Sequence, residues 1–365
     1  MNDKMNRAPG TQALIEQHRR FWSGDGPSLI LVPTEQGALY DTERYDERFE
    51  DPQLMWESEM QRARPVIDWP TDGIAAVRPN LGVIFVPALA GQGYTVKSDQ
   101  MPWPGDPLPL EKIMQARGCD IDSSHLMQLA RRFYAIHRRS GEDLVCAYHP
   151  DTQGVFDIAH LLYGDEIFLA MAGSEAEQQT VFDVLEVCLD LYLRATRSVK
   201  ALIGEADDGM IHGHGTAQGV YFPCGVRISE DTPTLLSPQM IERFVIPFVE
   251  RSVQPFSGCF CHFCGGHPRF FERLCRCDTV LAIDLGNPEL YEVEWLLQRC
   301  AESDTVLFSR LPVIDDDESC SAYVRRIGSA VRNSGARCVL RATAVPRERR
   351  EAEDMLLTWR ELTTR

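Results

Sequence analysis

Short apolar runs alternate with long amphipathic stretches along most of this chain, and this alternation limits the folds that it can adopt. Most of the runs are continuous rather than alternating in hydrophobicity, as expected for parallel strands covered on both faces. Strands are predicted at residues 73–77, 82–87, 143–148, 210–213, 226–229, 258–264, 279–285, 305–309 and 337–342. Helices are predicted at residues 175–203, 237–253, 288–301 and 320–334, two of them with a Ser-Pro or Asn-Pro start at Ser237 and Asn287.

Strands that alternate with helices predict a parallel sheet, and this many of them predict one closed (β/α)8 TIM barrel in the α/β class. Residues 61–365 are assigned to that barrel. Residues 1–60, which are rich in Glu, Arg and Trp, are expected to form an N-terminal helical extension. No internal repeat or low-complexity linker divides the chain further.

Charge and composition exclude several classes of partner. The chain has 365 residues and a formal net charge of -17, which argues against nucleic acid and anionic membrane surfaces, because both require clustered positive charge. No apolar run has the length of a membrane span, and the N-terminus lacks the layout of a signal peptide, so a cytoplasmic location is expected. The 12 cysteines are then mostly free thiols.

The segment from Gly258 to Gly266 carries the strongest chemical signal. If it ends a strand, His262 and Cys264 lie on one face, because side chains alternate between the two faces of a strand. Imidazole and thiolate are ligands that zinc prefers. The structural alternative for His262 is a core histidine that donates to a carbonyl. The same-face Cys264 and the glycines after it favour a metal site.

Other polar residues follow the predicted strands at the end where barrel active sites form. Asp284 is a candidate ligand or proton acceptor, or a cap on the next helix. His212 and His214 are candidates for a metal ligand, a general base or substrate binding, or are plain loop residues. Asp231 either orients substrate or caps a turn. Tyr148 and His149 are candidates for lining a substrate pocket.

Three motifs resemble the uroporphyrinogen decarboxylase superfamily in their order and spacing. They are the run from Val155 to Glu166, the run from Ser229 to Phe248 and the tetrad from His262 to Gly265, and the likeness covers roughly residues 60–346. The tetrad is similar to that of the corrinoid-dependent methyltransferase branch. The resemblance implies a zinc ion held by His262, Cys264 and a later Cys, and transfer of a methyl group between a methylcobamide and a thiol. The arginine-rich signature of the true decarboxylases is not recognisable.

The third zinc ligand of that branch has no direct counterpart here. Thr343 stands near the expected position of the later Cys, and Cys338 lies five residues earlier, roughly 16 Å away along a strand. Asp284, which matches an acidic residue near the metal in the methyltransferases, is taken as the third ligand. His212, His214 and Cys224 are the alternatives.

The sequence therefore predicts a zinc-dependent methyltransferase that uses a corrinoid as co-substrate. In that reading Asp231, Asp284 and His214 are catalytic, His262, Cys264 and Asp284 bind the metal, and Tyr148, His149 and His212 bind substrate. Expected partners are a small-molecule thiol or methyl donor, with a corrinoid protein and a second copy of the chain as further candidates. Two alternatives stay open: a metal-free decarboxylase or lyase on the same barrel, and a small-molecule binding barrel without catalysis.

Overall fold

The computed structural model describes residues 9–34, 44–314 and 317–364. Its strands are β1 Leu29–Leu31, β2 Ile74–Val77, β3 Tyr94–Lys97, β4 Gln100–Pro104, β5 Cys146–Ala147, β6 Met210–His212, β7 Gln218–Phe222, β8 Val226–Ser229, β9 Cys259–Phe263, β10 Val280–Leu285, β11 Val306–Ser309 and β12 Cys338–Arg341. Its helices are α1 Pro9–Trp22, α2 Tyr45–Glu50, α3 Pro52–Ala63, α4 Phe85–Leu89, α5 Leu110–Gln115, α6 His125–Ser140, α7 Val155–Tyr163, α8 Glu166–Ala172, α9 Glu175–Ile203, α10 Pro238–Met240, α11 Ile246–Val253, α12 Pro268–Cys275, α13 Val293–Ser303, α14 Cys320–Ser334 and α15 Arg349–Thr363.

Strand pairing confirms the predicted α/β class with a parallel sheet. Six strands form one parallel sheet in the order β1-β12-β11-β10-β9-β8. A second sheet has the order β5-β2-β7-β6, in which β2 and β5 are parallel and β7 is antiparallel to both β2 and β6. Strands β3 and β4 form a separate hairpin. The helices pack outside the sheets around a large apolar core.

The second sheet contacts the main sheet at both of the main sheet's edges. Among the described residues, no continuous ladder of backbone hydrogen bonds joins the two sheets. At one edge the Ile30 N–H donates to Asp72 Oδ2 over 2.9 Å, and the Asp72 N–H donates to the Ile30 carbonyl over 3.0 Å. At the other edge Gln153 forms an isolated parallel bridge with Ser229. The described pairing is therefore two linked sheets, and it does not by itself show the predicted closed barrel.

The N-terminal segment differs from the prediction. The expected helical extension over residues 1–60 contains α1, α2 and part of α3, but β1 lies within it and pairs with β12 in the main sheet. A three-residue strand is too short to be recognised from hydrophobicity. Residues 1–8 and 35–43 of this extension lie outside the described part of the chain.

The helix predicted over residues 175–203 is present in the structure, whereas the strand predicted over residues 82–87 is not. Helix α9 begins at a capping box of Ser174 and Glu177 and ends at Gly204, as the sequence pattern indicates. The strand predicted over residues 82–87 is wrong: this segment forms a 3-10 turn followed by α4. Short apolar runs do not distinguish a strand from a buried helix, and Gly82 takes a left-handed φ of 63° that a regular strand excludes.

One face of the main sheet carries an apolar layer and, one step further along the strands, a polar layer. Phe260, Ala282 and Val339 belong to one buried cluster together with Phe222 from the β6–β7 hairpin. Two residues later on the same strands stand His262, Asp284 and Arg341, which therefore share that face. The ring of Phe222 stacks on Phe260 at 4.5 Å. The polar layer therefore lies directly on buried aromatic side chains, and we call this set the aromatic floor.

Candidate metal centre

His262 and Cys264 lie together at the end of β9. The Cys264 Sγ is 3.4 Å from His262 Nε2, while His262 is buried and Cys264 is exposed. The backbone at Gly286 passes so close that a Cβ there would lie 2.3 Å from the thiol sulfur. The loop after β10 therefore holds the thiol against the imidazole, and only a glycine leaves the space for it.

Asp231 completes a three-donor group with these two residues. Its Oδ1 is 3.7 Å from His262 Nε2 and accepts the Cys264 N–H over 2.6 Å. The carboxylate, imidazole and thiol donor atoms all lie within 4.8 Å of one another. Tetrahedral zinc with bonds of about 2.0–2.3 Å places its ligand atoms about 3.3–3.7 Å apart. The spacings from His262 Nε2 to Cys264 Sγ and to Asp231 Oδ1, 3.4 and 3.7 Å, fall in this range.

Asp157 fixes the backbone that carries Asp231. Its two carboxylate oxygens accept the N–H groups of Asp231 and Thr232 over 2.8 and 2.9 Å. Burial and the neighbouring Asp231 charge raise the pKa of Asp157 to about 7. Asp231 itself is 39% exposed in its side chain, so its carboxylate faces the solvent side of the group.

Asp284 lies behind His262, on the side away from Cys264. Its Oδ2 is 3.2 Å from His262 Nδ1 and contacts His214 Nδ1 directly. Burial favours a neutral Asp284, but the two histidines lower the pKa of this carboxyl overall, well below its usual range. Asp284 thus approaches His262 from its Nδ1 side, the side from which carboxylates orient metal-binding histidines, while Nε2 faces Cys264.

A second group of possible ligands, His214, His262 and Asp284, fits a cation less well. Its atoms also converge within 4.8 Å, and His262 Nδ1 and Asp284 Oδ2 make no well-aligned hydrogen bond among the described residues. However, Arg341 Nη1 lies 3.3 Å from His214 Nδ1 and 3.5 Å from Asp284 Oδ1. A metal ion there would sit beside a guanidinium cation, and the two charges would repel.

His214 is already engaged on both ring nitrogens. Arg227 Nη2 is 2.6 Å from its Nε2, and Asp284 contacts its Nδ1. Burial and the Arg227 charge keep the pKa of His214 well below its usual range, so the ring is neutral. Its backbone has a φ of 40°, and the His214 N–H donates to His212 Nδ1 over 2.9 Å. His212 thus supports a strained turn that places the ring beneath His262.

The remaining predicted residues lie outside this cluster or beneath it. The His149 ring pairs with buried Glu205 at 3.1 Å, and the Tyr148 hydroxyl donates to the Thr216 carbonyl over 2.9 Å. Cys224 is fully buried among apolar side chains, and burial raises the pKa of its thiol to about 12. Thr343 donates to the Leu311 carbonyl over 3.1 Å. Its side chain is used in that loop contact.

Sequence reasoning missed the arginines of the polar layer. Arg227 and Arg341 are nearly fully buried, yet each stands within an apolar strand, β8 or β12. Arg227 is paired with Asp151, which Arg78 also approaches at 3.7 Å. A charged residue inside an otherwise apolar buried strand is unusual, and that signal could have identified both positions.

Comparison with known proteins shows the fold. No family model and no curated protein sequence matches the chain. The structure is similar to that of a methyltransferase from Methanosarcina mazei, with a TM-score of 0.65 and 14% sequence identity over 95% of this chain and 98% of the other. The two chains share an architecture over nearly their whole lengths. Among the described residues, no helix combines the length and apolar character needed to cross a bilayer.

Proposed function

We propose that the chain is a zinc-dependent methyltransferase that moves a methyl group between a corrinoid and a thiol. The observation that carries the proposal is the spacing of three zinc-compatible donor atoms, His262 Nε2, Cys264 Sγ and an Asp231 oxygen, at the mouth of the parallel sheet. The similarity in fold to a protein described as a methyltransferase supports it.

We also propose that the described strands form a closed barrel. Strands β1, β2, β5 and β8 to β12 form the eight strands, with the contacts of Asp72 and Gln153 closing the gaps between the two sheets. In such a barrel the active site lies at the carboxyl ends of the strands. His262, Asp284 and Asp231 stand at those ends. We assign the protein to the cytoplasm, with a corrinoid protein and a second copy of the chain as candidate partners.

In this proposal the residues near the site either bind the metal or position a ligand. His262, Cys264 and Asp231 would hold zinc, which when bound lowers the pKa of a thiol substrate and presents it as a thiolate. Asp284 orients His262. His214 contacts Asp284 through its Nδ1 and is assigned here as a positioning residue rather than as the general base. Asp231 thereby replaces Asp284 as the third ligand.

The protonation of Cys264 accompanies metal binding. Burial, together with the charges of Asp231 and Asp284, raises the pKa of this thiol to about 12, so the metal-free protein carries a neutral thiol there. A thiolate ligand has to lose that proton when the metal binds. Zinc uptake is therefore expected to release a proton and to weaken as the pH falls.

The proposed reaction is a displacement at the methyl carbon. The substrate sulfur attacks the methyl carbon, the sulfur–carbon bond forms as the cobalt–carbon bond breaks, and the bonding electron pair stays with cobalt. The thiol proton leaves to solvent. The chain's own residues orient the sulfur, while the aromatic floor under the polar layer excludes water from below.

Metal analysis followed by a methyl-transfer assay tests the proposal. Purified protein should bind one zinc per chain, and changing Asp231, His262 or Cys264 to Ala should abolish both zinc binding and the loss of methylcobalamin absorbance in the presence of a small thiol. Cys119→Ala is the matched control, because this half-buried thiol contacts the Leu89 carbonyl and Arg194 among the described residues, and neither belongs to the site. Methyl transfer that persists after the metal is removed would refute the zinc-dependent mechanism.

A further inference from the structure

Arg227 lies buried in β8 between a carboxylate and an imidazole. Its Nη1 donates to Asp151, and its Nη2 is 2.6 Å from His214 Nε2. A guanidinium group carries donors and no acceptor, and it stays protonated in proteins. The short contact with His214 is therefore a hydrogen bond only if the imidazole Nε2 accepts.

The acceptor role of Nε2 determines where His214 carries its proton. Burial and the Arg227 charge keep the pKa of His214 well below its usual range, so the ring is neutral. A neutral imidazole has one N–H and one accepting nitrogen, and the partner of one nitrogen sets the state of the other. A ring that accepts at Nε2 therefore carries its proton on Nδ1.

The groups around His214 Nδ1 agree with this assignment. The Asp284 carboxylate, which is an acceptor when ionised, contacts Nδ1 through its Oδ2. Arg341 Nη1 also approaches Nδ1, at 3.3 Å, so two guanidinium groups compete for one lone pair of the ring. The Arg227 contact is the shorter one. A proton on Nδ1 faces the Asp284 carboxylate, whereas a proton on Nε2 would face an Arg227 N–H.

His212, two residues earlier, has the opposite arrangement. The His214 backbone N–H donates to His212 Nδ1 over 2.9 Å, and burial keeps the pKa of His212 well below its usual range. Its proton therefore lies on Nε2. Two histidines separated by a single glycine thus carry their protons on different ring nitrogens, because different donors face them.

We propose that Arg227 is a positioning residue of the metal centre, which fixes the His214 proton on Nδ1 and so keeps an N–H toward Asp284. The inference rests on the proposed function, because its effect on zinc requires His262 to be a ligand. Asp284 Oδ2 is 3.2 Å from His262 Nδ1, and groups on that side orient a metal-binding histidine. With the proton on Nε2, the Nδ1 lone pair of His214 would face the carboxylate and repel it.

Nitrogen-15 NMR of histidine-labelled, metal-free protein tests the proton positions without a change to the chain. Long-range proton–nitrogen correlations distinguish the two neutral tautomers from each other and from the imidazolium, and a His214→Asn variant identifies the signals of His214. At neutral pH we expect His214 only as the Nδ1–H form and His212 only as the Nε2–H form. A His214 ring that is protonated on Nε2, mixed or doubly protonated would overturn the inference, whether or not zinc binds.

Variants of Arg227 test the connection to the metal. Arg227→Gln should give mixed tautomers at His214, because a carboxamide offers an acceptor as well as donors. Its zinc affinity should fall about tenfold, the lower end of the range for changes behind a metal ligand. Arg227→Lys retains only donors and should restore the Nδ1–H form and most of the affinity. Arg78→Gln is the matched control, because it also removes a partner of Asp151 but leaves Arg227 beside His214.

Melting temperatures show which variants are folded. An unchanged zinc affinity in folded Arg227→Gln with mixed tautomers would contradict the role of Arg227 at the metal centre, and so would an equal loss of affinity in Arg78→Gln. Wild-type protein that shows the Nδ1–H form of His214 but binds no zinc would support the assignment of the proton and refute the proposed function.

Discussion

Replacing Gly286 by Ala should displace the proposed thiol ligand, Cys264, without changing any of the proposed ligand residues. A Cβ at this position would lie 2.3 Å from Cys264 Sγ and 3.2 Å from Cys264 Cα, whereas heavy atoms pack at about 3.5–4.0 Å. The backbone cannot simply withdraw, because the Gly286 N–H donates to the Phe263 carbonyl over 2.9 Å. Gly286 has no positive φ, so alanine is compatible with its backbone conformation and the strain falls on the thiol.

The expected loss of zinc affinity follows from the loss of one ligand of three. Disturbing only the groups behind a metal ligand typically costs 10- to 100-fold in affinity. Moving the ligand itself should cost at least about 100-fold, on the order of 3 kcal/mol. Competition with a chromophoric chelator measures the affinity, and the thiolate-to-metal absorption of the cobalt(II) form reports directly on the sulfur.

Gly266→Ala is the matched control for this experiment. Its new Cβ would first meet Leu290 Cδ1 at 3.3 Å, the end of an exposed side chain that can move aside. That variant should keep the zinc affinity and the thiolate absorption of the wild type. If folded Gly286→Ala also kept both, Cys264 would not be a ligand in the position described, and the geometric basis of the metal centre would be refuted.

Three further predictions concern other parts of the molecule. Asp284→Asn should weaken zinc binding 10- to 100-fold by loosening the orientation of His262, measured by the same competition assay; an unchanged affinity would exclude that role. Phe260→Ala should lower the free energy of unfolding by about 3–5 kcal/mol in denaturant titrations, because it empties part of the aromatic floor; a loss below about 1 kcal/mol would contradict the packing described. Burial lowers the pKa of His18 from 6.5 to about 4, so the folded state loses this proton at a lower pH than the unfolded state does. The neutral, buried His18 therefore contributes about 3 kcal/mol to the free energy of unfolding above pH 6.5, and this contribution disappears as the pH falls toward 4. His18→Phe should remove that part of the pH dependence of the unfolding free energy. Identical pH profiles for the two proteins would refute the prediction.

The sequence was informative where a single segment determines the outcome. The bounds of α9 and α14 agree with the amphipathic pattern and its caps, and the spacing of His262 and Cys264 on one strand brought them together. Asn287 shows the limit of that reasoning, since it was expected to cap a helix. Its side chain instead accepts the Gly265 N–H over 2.9 Å and holds the loop after Cys264.

The approach of residues that are distant in sequence could not be predicted from the sequence in the same way. Asp231 is 33 residues from Cys264 in sequence, and only the parallel register of β8 and β9 brings their loops together. The roles of Asp284 and His214 depend on which face of His262 each approaches, and no spacing rule supplies that. Arg341 lies in a strand that is predicted from its apolar residues, and that pattern assigns no role to a charged residue within it.

The stacked rings of Phe222 and Phe260 also limit the directions from which a molecule can reach the polar layer. The hairpin of β6 and β7 covers the lower side of the polar layer. Among the described residues, the cluster around His262 is accessible past the exposed Cys264 and the half-buried Asp231. In the proposed reaction both substrates approach the cluster from this side, so we expect the smaller substrate, which binds deeper, to bind first. Steady-state kinetics should then show a compulsory order of addition, with the thiol leading and the bulky methyl donor closing the opening behind it.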